Sequence, residues 1–347
     1  MSVPNHVLRV ADEIKGLSPE RALLVIQDRL ISPSAYDLAY LSAIVKEGRP
    51  DLSYQSIFEG LGYNPGRLKS VISALNDYRE VLSGSKGRRV TLGYHPVDRL
   101  TRGIRPGQVM GIMARAGVGK TALAVNIMAN IFRRVDPHGV LFFSLEMPAG
   151  EVVARLFTVD NRETPERLDS YLEKAQGDPR LAAWSRRYQE LVIVDESGLS
   201  ISDVEKGFRE AEKYLGKSVP LLIIDYLGLL RASGGSSYER MSNLARELKS
   251  AAKRLSCALL VLIQTSRQGG SGGDPLSLCM ARDSGAIEEA CDFLLGAWRP
   301  ELNGGGRPGE LVLSLLKNRH GMTGEFSFHF DKETLRISGG HGGEPAG

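Results

Sequence analysis

Residues 108–132 run QVMGIMARAGVGKTALAVNIMANIF, and no other stretch restricts the fold of this chain so tightly. QVMGIM is an apolar run of strand length. A loop of small residues follows, Ala114, Arg115, Ala116, Gly117, Val118 and Gly119, and Lys120, Thr121 and Ala122 then open a segment with helical apolar spacing. A loop in that setting turns main-chain N–H groups toward phosphate oxygens, offers a lysine to the β- and γ-phosphates, and offers a hydroxyl to Mg²⁺. All three parts are present. The strict pattern asks for glycine where this chain has Ala114. A chance Gly-Lys-Thr in a turn is the competing reading, and the flanking strand and helix outweigh it.

Such a loop demands the rest of an α/β sheet, and the chain supplies it. After QVMGIM come GVLFFSL, LVIV, PLLIID, ALLVLI and FLLGAW, separated mostly by helical segments, which predicts a parallel sheet covered on both faces. ELVLSLL and EFSFHF follow with no helix between them, so the sheet is expected to end in an antiparallel hairpin. Ser202 to Glu205 has capping-box form, with Val204, Phe208, Ala211 and Leu215 on one face and Gly216 as terminator. Met241, Leu244, Leu248, Ala252 and Leu255 make a second apolar stripe.

Residues 1–82 read differently, as a helical region with breaks at GLSPE, SPSAYD, EGRPDLS and GYNPG. The expected organisation is therefore a small all-α domain at 1–82, a basic linker at 83–90, an α/β domain at 91–338 and a flexible tail at 339–347. Within the first of these, SYQSIFEGLGYNPGRLKSVISAL reads either as a helix-turn-helix or as a helical piece that docks on a protein. The second reading is favoured because its second helix offers few base-reading side chains.

The formal net charge of +3 permits a polyanionic partner without demanding one. Cys257, Cys279 and Cys291 form no CxxC pair, which argues against a zinc site or disulfides and for a reducing cytoplasm. No signal-type run opens the chain and no stretch approaches the roughly 18 apolar residues of a membrane span, so neither export nor membrane insertion is expected.

Two acids fit the phosphate loop. Asp225 ends the buried run PLLIID, where a carboxylate needs a cation or a hydrogen-bonded partner, and so it is a candidate metal contact. Glu146 follows GVLFFSL at the carboxyl end of a strand, where open α/β sheets place their ligands; an exposed loop acid is the alternative.

Taken together, VDRLTRGIRPGQVMGIMARAGVGKT, FFSLEMPAGEVVARL and LLIIDYLGLL resemble the RecA-type motor domain of DnaB-like replicative helicases over roughly residues 91–338. That resemblance implies ATP and Mg²⁺, with Lys120 and Thr121 on phosphate and metal, Glu146 as catalytic base, Asp225 as the metal-site acid, Arg155 facing the γ-phosphate and Gln264 sensing nucleotide state. It implies that Arg282 and the main chain around Asp283 and Gly285 grip single-stranded DNA, although Arg282 could instead pair with a surface acid. KNRHGMTG resembles the family hairpin whose cations, here Lys317 and Arg319, reach the γ-phosphate held by a neighbouring subunit, so their acidic partner is expected outside this chain. A homo-oligomeric ring, a hexamer in this family, is implied, with a loader or primase as further partner. The implied activity is an ATP-dependent helicase or translocase. A RecA-like ATPase without unwinding activity, a recombination mediator or signalling ATPase, is the alternative.

Overall fold

The computed structural model describes residues 4–30, 37, 41, 89–134, 138–174, 179–265, 271–278 and 285–342. The chain divides into two compact units, Met1–Ser85 and Lys86–Gly347. In the first, α1 (Asn5–Glu13) and α2 (Pro19–Arg29) flank the GLSPE break. Pro19 takes the first helical position of α2, and the Ser18 hydroxyl accepts from the Arg21 N–H at 3.4 Å. Val7, Val10, Ile14, Ala22 and Ile26 bury their side chains together. The segment read as helix-turn-helix or docking piece lies outside the described residues.

In the second unit α3 (His95–Thr101) leads to β1 (Val109–Ala114) and α4 (Lys120–Phe132). Then come β2 (Val140–Ser144), α5 (Ala149–Asn161), α6 (Pro165–Lys174), α7 (Pro179–Arg187), β3 (Leu191–Val194) and α8 (Ile201–Leu215). After these follow β4 (Leu221–Asp225), α9 (Ser237–Leu255), β5 (Ala258–Gln264), α10 (Gly285–Ala290) and β6 (Phe293–Trp298). The unit ends with β7 (Glu310–Asn318), β8 (Gly324–Phe330) and β9 (Ile337–Gly342). The sheet order is β3-β2-β4-β5-β1-β6-β7-β8-β9, parallel through β6 and antiparallel beyond it.

Both faces of the sheet are covered, which is why the central strands are apolar at every position. Met110 and Ile112 face α4 and α5, while Val109 and Met113 face α8 and α9. Gly111 sits where any Cβ would come within 2.8 Å of both Ile263 and Leu294, so strand packing excludes a side chain there. In β8 the alternation resolves cleanly: Phe326, Phe328 and Phe330 enter the core and the residues between them do not.

Three expectations need correction. The capping box of α8 is Ser200 with Asp203, two residues before the one expected, because this start puts Ile201 on the same buried face as Val204, Phe208 and Ala211. The sheet ends in three antiparallel strands rather than a hairpin pair, since ISGGHG forms β9 against β8. Regular structure thus runs through Gly342, into the expected tail, and Val90 of the expected linker already bridges Ile104. Among the described residues no helix is long and apolar enough to cross a membrane, and Cys257 and Cys291 are buried free thiols.

Candidate nucleotide site

Four strand ends meet at one edge of the sheet. Ala114 closes β1 beside Gln264 of β5, and Ser144 closes β2 beside Asp225 of β4. From Ala114 the chain enters the loop, where Gly117 and Gly119 take φ values of +78° and +113° that side-chain-bearing residues rarely adopt. Ala116 and Gly117 are exposed, whereas Val118 and Ala122 are buried beneath them. The loop therefore presents backbone outward and anchors itself by two small apolar side chains. The buried Arg115 side chain turns away from the opening, its Nη1 donating to the Asp274 carbonyl at 2.7 Å, so this residue offers phosphate only its main chain.

Lys120 is 9% exposed. Desolvation holds its pKa below the ordinary lysine value, against the opposing pull of Asp225 and Glu146. Asp225 is 2% exposed and accepts from the Thr121 hydroxyl at 2.6 Å through Oδ2. Its Oδ1 is buried without a hydrogen-bond partner. Burial pushes the carboxyl pKa up; the Thr121 bond and the charges of Lys120 and Arg155 pull it back, and Glu146 adds to the rise. A buried carboxylate with an oxygen to spare beside a threonine hydroxyl fits Mg²⁺, which needs only one or two protein oxygens and retains waters.

Glu146 is exposed at the mouth of this pocket. Its turn is held from both sides: Ser144 donates its hydroxyl to the Met147 carbonyl at 2.6 Å, and the Leu145 N–H donates to the Asp225 carbonyl at 2.8 Å. Arg155, on α5, lies near enough for its charge to act on Asp225. Gln264 ends β5 with its side chain exposed, and the next N–H, of Thr265, donates to Ala114 O at 3.2 Å. Lys120, Thr121, Glu146, Asp225, Arg155 and Gln264 are thus brought to one edge. Arg282 and Asp283 lie outside the described residues, and Gly285 is the first residue of α10.

Lys317 and Arg319 go elsewhere, and they correct the expectation about their partner. Arg319 Nη1 donates to Asp292 Oδ1 at 3.0 Å and Nη2 to the Glu289 carbonyl at 3.0 Å, while Lys317 Nζ donates to the Glu288 carbonyl at 2.5 Å. The acid is in the same chain because antiparallel pairing returns the end of β7 to the start of β6, Phe293 against Asn318. Asp292 Oδ2 also accepts from the N–H of Val109, the first residue of β1, at 2.8 Å. The Arg319 guanidinium therefore sits at the opposite end of β1 from the phosphate loop. Six residues at about 3.3 Å each put roughly 20 Å between them, well beyond the reach of one side chain.

A parallel sheet with a glycine-bearing phosphate loop at its carboxyl edge, an acid on the second strand over and a hydroxyl between them defines a RecA-like P-loop nucleotide-binding domain. The family model of the DnaB-like helicase C terminal domain matches residues 89–339, and the chain belongs to that family. It is 29% identical to the replicative DNA helicase DnaC of Bacillus subtilis (strain 168) over 77% of this chain and 60% of that protein. Identity to the replicative DNA helicase DnaB of Mycoplasma genitalium is 32%, covering 70% of this chain and 54% of that one. The chain thus spans about 60% of the length of such relatives. Among solved structures it resembles a helicase-sized ATPase domain, with TM-score 0.67 and 25% identity over 78% of this chain and 98% of that one. A DnaB-like replicative helicase described with its interactions with primase has TM-score 0.65 and 25% identity over 92% of this chain and 76% of that one.

Proposed function

We propose that the chain is the ATP-hydrolysing motor of a ring-forming replicative DNA helicase that moves on single-stranded DNA. The observation that carries this reading is the division of one catalytic set between opposite ends of β1. A phosphate loop at one end and two cations at the other form a whole site only when two copies stack head to tail, and such an interface closes into a ring when its rotation allows. A hexamer is the form proposed by family likeness, with a primase or loader docking on the assembly and the N-terminal helices as the docking part, in the cytoplasm. Residues 1–82 and 91–338 are the proposed helical and motor domains.

The chemistry assigned to each residue follows from its setting. Main-chain N–H groups of residues 115–119 bind phosphate oxygens, and Lys120, already short of solvent, meets the β- and γ-phosphates. Thr121 and Asp225 would hold Mg²⁺, which when bound neutralises phosphate charge. Glu146 orients the attacking water and takes its proton, Arg155 faces the γ-phosphate, and Gln264 passes nucleotide state to the DNA-gripping segment around Arg282, Asp283 and Gly285. Lys317 and Arg319 serve the copy next door.

ATP turnover with and without single-stranded DNA, followed by strand displacement on a forked duplex, tests the reading. DNA-stimulated turnover with displacement is expected; turnover indifferent to DNA, or stimulated turnover without displacement, overturns the helicase assignment. Glu146→Gln is expected to bind ATP while hydrolysing it about 10²- to 10⁴-fold more slowly. Near-normal turnover by that variant removes Glu146 from the mechanism.

A further inference from the structure

We propose that Asp292 is a positioning residue for hydrolysis, the carboxylate that fixes the aim of Arg319 at the nucleotide bound by the next copy. The proposal rests on the reading of Arg319 as an arginine acting in trans. Asp292 holds Arg319 at both ends: its carbonyl accepts the Arg319 main-chain N–H at 2.9 Å, and its Oδ1 accepts from Nη1 at 3.0 Å. With backbone and guanidinium tied to one residue, the side chain between them has little rotamer freedom left. The Glu289 carbonyl takes Nη2 at 3.0 Å and completes a fixed cradle for the guanidinium.

A merely structural ion pair is the competing explanation, and the charge balance argues against it. Asp292, with 4% of its side chain exposed, already has a cation in Lys249, whose Nζ donates to Oδ2 at 2.5 Å. The Val109 N–H donates to that same oxygen at 2.8 Å. The buried carboxylate is therefore neutralised and hydrogen-bonded without the arginine. Arg319 keeps 46% of its side chain exposed, enough surface to meet an anion across an interface. The turn that carries it is braced independently: Asn318 Oδ1 accepts from the His320 N–H at 3.0 Å, and Asn318 Nδ2 donates to the Met322 carbonyl at 2.8 Å. Gln108 adds a contact to His320 Nε2 at 2.7 Å, and the imidazole packs edge-on to Phe293 with centroids 5.8 Å apart. What Asp292 adds to this frame is direction. An arginine that stabilises charge developing in a transition state is effective only when it is oriented beforehand, since reorienting it during the reaction costs part of what it contributes.

The test uses the full chain with single-stranded DNA and compares Asp292→Asn, Arg319→Ala and the double variant. Asp292→Asn is expected to lower kcat for ATP about 10- to 100-fold, with KM for ATP and assembly mass unchanged and with no further loss when added to Arg319→Ala. A wild-type kcat in Asp292→Asn overturns the proposal. So does a loss that multiplies with that of Arg319→Ala, because the effect would then bypass the arginine. An Arg319→Ala chain with wild-type kcat is a separate failure, of the trans reading itself. If Asp292→Asn does not fold, Asp292→Glu keeps the charge and moves the carboxylate by one methylene; the same kcat loss is expected, and a wild-type kcat overturns the proposal equally.

Discussion

Glu301, just after β6, is an acid whose setting can be read from its bonds. It accepts from Arg299, with Nε at 3.0 Å, from the Gly309 N–H at 2.9 Å and from Lys332 at 3.2 Å. Arg299 in turn lies 4.7 Å above the Phe330 ring, which packs near Gly119 under the phosphate loop. The Gly309 bond first, and the Arg299 bond next, hold the Glu301 carboxyl down at about 2, against an ordinary 4.5. Between those values the unfolded chain binds the proton that the folded chain rejects, so the contribution to stability is full above 4.5 and is lost as pH falls toward 2. Glu301→Gln is expected to lower Tm at neutral pH, with the gap to the native chain narrowing as pH drops below about 4.5. A gap independent of pH in thermal scans would show that the charge is not what matters. Legibility at this scale followed chemistry. Lys120, Asp225 and Glu146 could be found because their residue types make sense only at strand ends facing phosphate. Asp292 could not: its partners Val109 and Arg319 are 183 and 27 residues away, and an acid before an apolar strand looks like any strand edge.

Whole elements were legible wherever burial forced a continuous apolar run, which holds for β1 through β8. The exception, β9, pairs by backbone alone, so ISGGHG carries no apolar pattern to read. Strand order was not readable either, since it depends on which crossover each helix takes and not on any local pattern. The start of α8 shows how two signals compete. Both Ser200-Ile-Ser-Asp203 and Ser202-Asp-Val-Glu205 have capping form, and the buried side chain of Ile201 decides between them. Ser200 Oγ accepts from the Asp203 N–H at 3.3 Å, and Asp203 Oδ2 accepts from the Ser200 N–H at 2.8 Å. Ser200→Ala should therefore cost about 1 kcal/mol, a fall in Tm of roughly 2–4 °C for a unit of this size. Ser202→Ala, at an exposed position inside the helix, should change Tm by less than about 1 °C. Equal effects in denaturant titrations of the two variants would return the cap to an open question.

For the whole molecule, the decisive feature is that the two cations on β7 and the turn after it stand at the far end of β1 from their own phosphate loop. No motif announced this distance; it follows from where antiparallel pairing returns β7 to the start of β6. If Arg319 completes the site of the next copy, Arg319→Ala should bind ATP almost normally and hydrolyse it about 10³- to 10⁵-fold more slowly, because a trans arginine acts mainly on charge that develops in the transition state. Mixing that variant with Glu146→Gln is the sharper experiment. A boundary built from the phosphate loop of an Arg319→Ala chain and the arginine of a Glu146→Gln chain has every part, while the reverse boundary lacks both. At equal mixing about a quarter of boundaries are whole, so the mixture should recover hydrolysis that neither parent shows. An arginine serving its own subunit predicts no recovery, since every chain then carries its own defect. Mixed assemblies, verified as mixed by native mass and still inactive, would reject the trans assignment and with it the geometric reason for a ring.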